Sequence, residues 1–515
     1  MHLLRRRSSC RLFRKNGITA PLICILLFIA LSVAYIGRAY HHQPEPEDVV
    51  EPRPLSPFIP DQAAFWRSLY TTILTHDPEC EDDPIEPVVP YKLDVVFNRT
   101  QKHSRPDLLW IRPPDLQKLK DAHSNYVNEL PTVIPPFYQP GTQGIVVTAG
   151  SKHLPVLTIG LRMLRRTGCE LPVEVFLTGE EDYDSHICTE VFPSLNAQCL
   201  VFTDIFQAAE TGISLNRYQF KIFALIFTSF DDVLLLDSDA FPATDPTTIF
   251  TSEPFTSKGM ILWPDFWYPS ESPYFFEIAN LGPAPPINAH PSIESGVIMV
   301  SKSKHNLTLM LATYYNFYGP SYYYPLQSQG GPGQGDKETF GWAALATNNS
   351  FYLVHEPVIA LGHVDSTGKF FGSAMAQHDP VQDFHAIQHQ QDLDLELRPS
   401  PFRVKEAAKD LVTIPPVAPL FIHANFPKFD PGSLFEFSTQ AQGAVGPTFD
   451  SNNTAIRTWS SQEEMVELFG FDIEHAFWEE IEHVACKLES DFAAWKGKQD
   501  ICFGVEEYRK AVFAV

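Results

Sequence analysis

Asp231-Asp232-Val233-Leu234-Leu235-Leu236-Asp237-Ser238-Asp239 reads as a strand of consecutive apolar residues that stops abruptly on two carboxylates one residue apart. Unbroken apolar runs of this length belong to strands buried on both faces, the pattern of a parallel sheet covered by helices. Carboxylates at the end of such a strand need a reason to be there. The carboxyl ends of parallel strands are where α/β sheets bind ligands, and two hard oxygen donors suit Mg²⁺ or Mn²⁺ bridging a diphosphate. An Asp-x-Asp pair also occurs in solvated turns. Its place after a continuous apolar strand, with Pro242 and Pro246 ending the segment, favours Asp237 and Asp239 as metal ligands.

The chain around this strand has the same rhythm. From Gly144, short apolar runs (GIVVT, VEVFL and DVLLL) alternate with helical stretches. LPVLTIGLRMLRRTG has apolar residues at helical spacing and closes on Gly168, and YQFKIFALIFTSF leads straight into the strand that carries the aspartates. The fold class expected is therefore α/β, with a mainly parallel central sheet that binds a nucleotide. Between Phe65 and Tyr138, amphipathic patches such as FWRSLYTTIL and DLQKLKDAHSNYVNEL predict a mostly helical lead-in. Tyr314 to Gly335, rich in tyrosine and glycine and without a period, reads as a mobile loop.

At 515 residues, 44% apolar and 19% charged, the chain can bury a large core. A net charge of −24 excludes a general nucleic-acid binder, which phosphate would repel. The uncharged run Ile18 to Ile36 is long enough to cross a hydrocarbon layer of about 30 Å, longer than the apolar core of a cleaved signal peptide. Arg5, Arg6, Arg7, Arg11, Arg14 and Lys15 precede it, so the basic side stays cytosolic and the bulk of the chain is lumenal. Acceptor sequons at Asn98, Asn306, Asn348 and Asn452 fit that compartment. Six cysteines past the membrane, Cys80, Cys169, Cys188, Cys199, Cys486 and Cys502, form an even set for an oxidising lumen; pairing is expected, with buried free thiols the alternative. The layout expected is a tail over 1–17, an anchor over 18–36, a proline-rich stem over 37–62, a lumenal lead-in over 63–143, a catalytic domain over 144–430 and an extension over 431–515.

Several ordered motifs then point one way. GIVVTAGSKHLPVLTIGLRMLRRTGCELPVEVFL, RYQFKIFALIFTSFDDVLLLDSDAFPATDP, WPDFW from Trp263 to Trp267, IESGV from Ile293 to Val297, GDKETF from Gly335 to Phe340 and HANFPK from His423 to Lys428 resemble the fungal Golgi α-mannosyltransferases, which add α-1,2- or α-1,3-linked mannose to cell-wall mannoproteins. The resemblance spans Gly144 to Lys428 and implies a GT-A-like fold, a GDP-mannose donor, Mn²⁺ (or Mg²⁺) and retention of anomeric configuration. It also implies single-pass type II placement in the Golgi membrane, a glycoprotein mannan or oligomannose acceptor, and a place in a Golgi transferase complex.

The resemblance also proposes roles. His423, after a short apolar run, could complete the metal shell through an imidazole nitrogen, with Lys428 near the diphosphate. Lys221 could pair with phosphate or be a solvated helix charge. Thr148, Ala149 and Gly150 follow the first strand, where small residues let a nucleotide approach, although a plain turn explains them as well. Glu294, Asp336 and Glu338 are the carboxylates expected to hydrogen-bond sugar hydroxyls or to act at the reacting centre. Trp263 and Trp267 could stack on sugars or simply fill the core. Three readings compete: a metal-dependent mannosyltransferase, a transferase using another nucleotide sugar, and a catalytically silent lumenal glycan-binding protein. The intact set of Asp237, Asp239 and His423 argues against the last. A glycoside hydrolase would place its carboxylates roughly 5–9 Å apart across a sugar rather than adjacent on one strand end.

Overall fold

The computed structural model describes residues 53–513 apart from 54, 82, 94, 366–367, 393–415, 427, 436–447 and 451–453. The expected anchor over 18–36 and most of the stem lie outside the described residues. Among those described, no helix is long and apolar enough to cross a membrane. A helix already runs over Ile59–Thr75, with Pro60 in its first turn, where its missing N–H leaves nothing unsatisfied.

The strands in chain order are β1 (Ile85–Pro87), β2 (Leu109–Ile111), β3 (Gln139–Ala149), β4 (Val173–Leu177), β5 (Ala197–Val201), β6 (Phe230–Leu236), β7 (Ala240–Pro242), β8 (Met260–Pro264), β9 (Ile293–Ser301), β10 (Tyr352–Leu353), β11 (Ile359–Val364), β12 (Phe370–His378) and β13 (Pro419–His423). Seven of them form the central sheet in the order β10-β8-β9-β6-β3-β4-β5, in which β9 alone runs against its neighbours. The mainly parallel α/β sheet expected from the apolar runs is present. β11-β12-β13-β7 form a second, antiparallel sheet, and β1 pairs with β2 in a separate ribbon.

The central strands bury both faces, and alternate residues enter different cores. Ile145, Val147, Leu234 and Leu236 face one cluster, and Val146, Val233 and Leu235 face the other. The first cluster is closed by the helix Leu154–Arg166, which ends at Gly168 in the left-handed region as its sequence predicts. Over it packs the helix Ile473–Lys487 of the C-terminal extension, whose Phe477 and Ile481 are buried in the same cluster, each contributing about 1.5–3 kcal/mol by burial. Arg162 and Glu480 at 2.6 Å tie the two helices at their edge. The second cluster takes the helix Phe220–Phe227 and the lead-in side chains Phe65, Trp66 and Tyr126.

Tyr314 to Gly335 departs from the loop expected. The helix Lys302–Phe317 continues through Gly319–Tyr323 into Tyr324–Ser328, and only the residues after Gln329 form a turn-rich loop. The tyrosines carry no apolar period, yet they are core residues, with several of the buried hydroxyls paired to groups from other segments. Tyr314 donates to the His76 carbonyl at 2.8 Å, Tyr315 meets His123 at 2.8 Å, and Tyr324 donates to Asn316 at 2.8 Å.

Two disulfides, Cys188–Cys199 and Cys486–Cys502, use four of the six cysteines beyond Ile36, leaving Cys80 half-buried and Cys169 buried as thiols. Both pairings and the alternative of buried thiols thus coexist in one chain. Alkylation of the denatured, unreduced protein should label Cys80 and Cys169, and leave Cys188, Cys199, Cys486 and Cys502 until reduction. Peptide mass mapping that finds Cys188 or Cys486 labelled without reductant would contradict this pairing.

Candidate active site

The two aspartates are held by strands from both sheets. β6 lies beside β3 with Val147 opposite Leu236, and beside β9 with Leu236 opposite Val297. The Asp237 N–H continues the ladder by donating to the Gly296 carbonyl at 2.8 Å. The chain then turns, with the Ala240 N–H donating to the Asp237 carbonyl, and enters β7, which pairs with β13 so that His423 stands opposite Ala240. The Ala424 N–H donates to the Asp239 carbonyl at 2.9 Å. One carboxyl end of the parallel sheet is thereby stitched to the end of an antiparallel strand almost two hundred residues later.

Three side chains converge there. Ligand atoms of Asp237, Asp239 and His423 all lie within 4.8 Å of one another. His423 Nε2 is 3.2 Å from Asp239 Oδ1 and 3.7 Å from Asp237 Oδ2, and Lys428 Nζ contacts the other oxygen of Asp239. The Asp239 side chain is 1% exposed, whereas that of Asp237 is 21% exposed and opens to solvent. Behind the ring, His423 Nδ1 is 3.3 Å from Glu294 Oε1, and Glu294 is itself fixed by the Gly296 N–H at 2.7 Å and the Gln377 amide at 3.0 Å. A carboxylate behind an imidazole is the usual device for orienting a metal-ligating histidine.

The charges are strongly coupled. Burial pushes against ionisation of Asp239, but His423 and Lys428 overcome it and hold the carboxyl well below its ordinary range. Glu294 is likewise drawn down to about 2 against its burial, chiefly by His423. The same two carboxylates raise His423 to about 10, although burial alone would lower it. Burial is the main cause that pushes Asp336 up to about 6, with the Asp237 charge adding to it and Lys221 opposing.

Asp239 Oδ1, both ring nitrogens of His423 and Asp336 Oδ2 are buried without a partner in hydrogen-bonding geometry. Buried polar atoms are almost always satisfied, so a cluster of such atoms at one point calls for a ligand. Two carboxylates and an imidazole fit Mn²⁺ or Mg²⁺, which take hard oxygen donors and, for Mn²⁺, nitrogen as well.

The remaining expected residues divide. Lys221, in the first turn of Phe220–Phe227, is no solvated charge: it bridges Asp237 at 3.0 Å and Asp336 at 3.9 Å and donates to Ser295 at 3.1 Å. Asp336 is reached by the Ser295 hydroxyl at 3.2 Å. Glu338 points elsewhere, accepting the Ile293 N–H at 3.0 Å, and burial followed by the Glu271 charge raises its carboxyl far above the usual range. Glu271 in turn holds Arg105 at 2.7 Å and the Trp342 indole at 2.9 Å, so Glu338 belongs to a framework beneath the site. Thr148 lies one residue past Val147, level with Asp237 across the β3–β6 ladder. Gly150 sits beside Asp182, which accepts the Ser151 N–H at 2.7 Å and shapes the loop that follows. Trp263 is fully buried, its indole donating to the His378 carbonyl at 2.9 Å, so it is core; Trp267 is half-buried.

Gly296 and Gln377 were not singled out from the sequence. A Cβ on Gly296 would stand 2.5 Å from the His423 ring and 2.9 Å from Glu294 Oε1, so only glycine lets β9 pass beneath the imidazole. The IESGV motif offers a signal for Gly296; nothing local marks Gln377.

A family model described as "Mannosyltransferase putative" matches residues 142–290 and 287–379, which include both aspartates, Glu294 and Asp336. The alpha-1,2-mannosyltransferase MNN23 of Candida albicans is 32% identical over 422 residues, covering 71% of this chain and 69% of its own length. The chain belongs to the fungal α-mannosyltransferase family. MNN21 of the same organism, also an alpha-1,2-mannosyltransferase, is 31% identical over 76% of this chain and 65% of its own. The alpha-1,2-mannosyltransferase MNN2 of Saccharomyces cerevisiae is 33% identical over 63% of each. The chain thus spans about two thirds of the length of the α-mannosyltransferases it matches. A solved galactosyltransferase, LgtC with donor and acceptor sugar analogs, shares a TM-score of 0.28 at 15% identity over 41% of this chain and 72% of its own, a likeness too slight to add to the topology above.

Proposed function

We propose that this chain transfers mannose from GDP-mannose, with retention, to a mannose-terminated glycan of glycoproteins, forming an α-1,2 linkage. In this reading it works as a single-pass type II protein of the Golgi membrane, with a Mn²⁺ or Mg²⁺ ion held by Asp237, Asp239 and His423. The observation that carries it is the convergence of Asp237, Asp239 and His423 at the carboxyl end of β6, with Asp239 Oδ1 and both His423 ring nitrogens buried outside hydrogen-bonding geometry, in a chain of this family. The linkage follows that named for its relatives.

Bound there, the cation would act as a Lewis acid on the diphosphate as its charge grows. The chain's own residues do the rest. Glu294, fixed by Gly296 and Gln377, holds the imidazole of His423 in place. Lys428, its side chain 46% exposed, can turn from Asp239 to a phosphate oxygen. Lys221 offsets the charges of Asp237 and Asp336 in a buried place where they would otherwise repel each other and the donor. Asp336, at the edge of this group, is the carboxyl we assign to a sugar hydroxyl.

The test is to incubate the detergent-solubilised full chain with a panel of nucleotide sugars and mannose acceptors, then to locate the new bond. Transfer from GDP-mannose with a product opened by an α-1,2-specific mannosidase is expected. Preferred transfer from another nucleotide sugar, or a product resistant to that mannosidase, would overturn the donor or the linkage respectively.

A further inference from the structure

Beside the metal cluster, the loop after Gln329 encloses a cavity of about 410 Å³ whose lining residues include Ile85, Leu109, Tyr218, Tyr324, Gln329 and Gln334. This volume is within the range of small-ligand sites, about 300–1,000 Å³. No residue that lines it carries a charge, on a chain of net charge −24.

The cavity adjoins the site at two points. Tyr218 precedes Lys221 by one helical turn, and Lys221 bridges Asp237 and Asp336. Gly335, immediately before Asp336, packs against the Tyr218 ring at φ +136, where a Cβ would come within 2.8 Å of it. Tyr218 and Tyr324 meet edge to face at 6.2 Å, and Tyr218 remains 41% exposed. Burial and, after it, the Asp336 charge push the Tyr324 phenol up. The outer wall comes from the β1–β2 ribbon, and Gln329 locks ribbon to loop by accepting the Leu108 N–H at 2.8 Å and donating to Pro106 and Ser270 carbonyls at 2.9 Å.

We propose that this cavity is an acceptor subsite that holds a neutral sugar unit of the glycan, next to the unit that receives the new mannose. The proposal rests on the transferase reading above and adds where acceptor length is sensed. Aromatic rings offer flat apolar faces to the C–H side of a pyranose, and the exposed Gln334 amide can donate to and accept from hydroxyls. A phosphate or charged peptide would find no counter-charge there and would lose hydration without recompense. The ribbon lies before residue 142, outside the family-model match, so the lead-in region becomes part of the acceptor site.

The test compares methyl α-mannoside with mannobioside and mannotrioside acceptors on the full chain and on Tyr218→Ala, Tyr218→Phe and Gln334→Ala. In the unmodified chain, kcat/KM should favour the longer acceptors by about tenfold or more, the order a stacked ring and a hydrogen bond supply. Tyr218→Ala should erase that preference through the acceptor KM, Tyr218→Phe should keep it, and Gln334→Ala, on an exposed side chain, should weaken it without affecting folding. Saturation-transfer NMR of mannotrioside binding gives a readout that needs no turnover. A folded Tyr218→Ala protein that keeps the preference, or an unmodified chain that shows none, overturns the subsite while the transferase stands. Mannotrioside binding lost in Tyr218→Ala, in a protein that transfers from no donor, upholds the subsite and removes the transferase reading.

Discussion

Asp239→Ala should lower sugar transfer by roughly 10²–10⁴-fold, the loss of several kcal/mol of charge stabilisation at the transition state. In the proposed site the carboxylate supplies a direct ligand, and it is the charge that His423 and Lys428 both face. Asn would be nearly as poor, keeping the shape and losing the charge. The fold should survive, because the backbone tie from Ala424 to the Asp239 carbonyl is untouched and Lys428 can return to solvent. Melting temperature and circular dichroism check that point. Isothermal titration with Mn²⁺ should show binding to the unmodified chain and none to the variant. Chelation should abolish transfer by the unmodified chain, and Mn²⁺ should restore it better than Ca²⁺, whose larger shell of 6–8 oxygens fits a small diphosphate site badly. Undiminished transfer by folded Asp239→Ala, or indifference to chelators, would defeat the metal assignment.

Gly296→Ala is expected to act through a residue 127 positions away in the chain. The added methyl would come 2.5 Å from Cε1 and Nδ1 of His423, and the ring is buried with Glu294 behind it. Gly296 is not in the left-handed region, so alanine is tolerated by the backbone and the effect arises from the contact alone. We expect the Mn²⁺ requirement to rise about 10–100-fold, as for other lost orienting contacts at metal centres, with transfer partly recovered at high Mn²⁺. Overpacking should cost about 1–3 kcal/mol of stability, which a melting curve reads separately. A variant with an unchanged Mn²⁺ dependence would show that His423 is not a ligand.

What local pattern can reveal, it reveals here. The apolar run of β6 and its abrupt carboxylates mark the strand that ends on the candidate metal ligands, because a strand buried on both faces writes itself as consecutive apolar residues. Leu154–Arg166 and its closing Gly168 are likewise legible, because capping and the 3.6-residue period act within one element. The motif order at Asp237, Glu294, Asp336 and His423 was enough to propose one site.

Other features depend on contacts between distant segments. Lys221 reads equally as a surface charge or a phosphate ligand until β9 brings Ser295 beside it and Asp336 closes the other side. Glu338 and Asp336 are two positions apart, yet one joins the cluster and the other turns into the Glu271 framework, since the turn leading into the helix Thr339–Ala346 points them in different directions. The tyrosine-rich helices carry no hydrophobic period, yet they are buried, because the Tyr314 and Tyr315 hydroxyls meet the His76 carbonyl and His123, which arrive from the lead-in region. The C-terminal extension shows no motif, yet it closes one face of the central sheet. Sequence alone therefore specified the strand, the helices flanking it and the candidate ligands, while the tyrosine-rich helices and the meeting of His423, Glu294 and Gly296 were decided only by the tertiary structure, the latter through the pairing of β13 with β7 and of β9 with β6. Side-chain periodicity is a property of a few neighbouring residues, whereas strand order depends on how every buried face is covered at once.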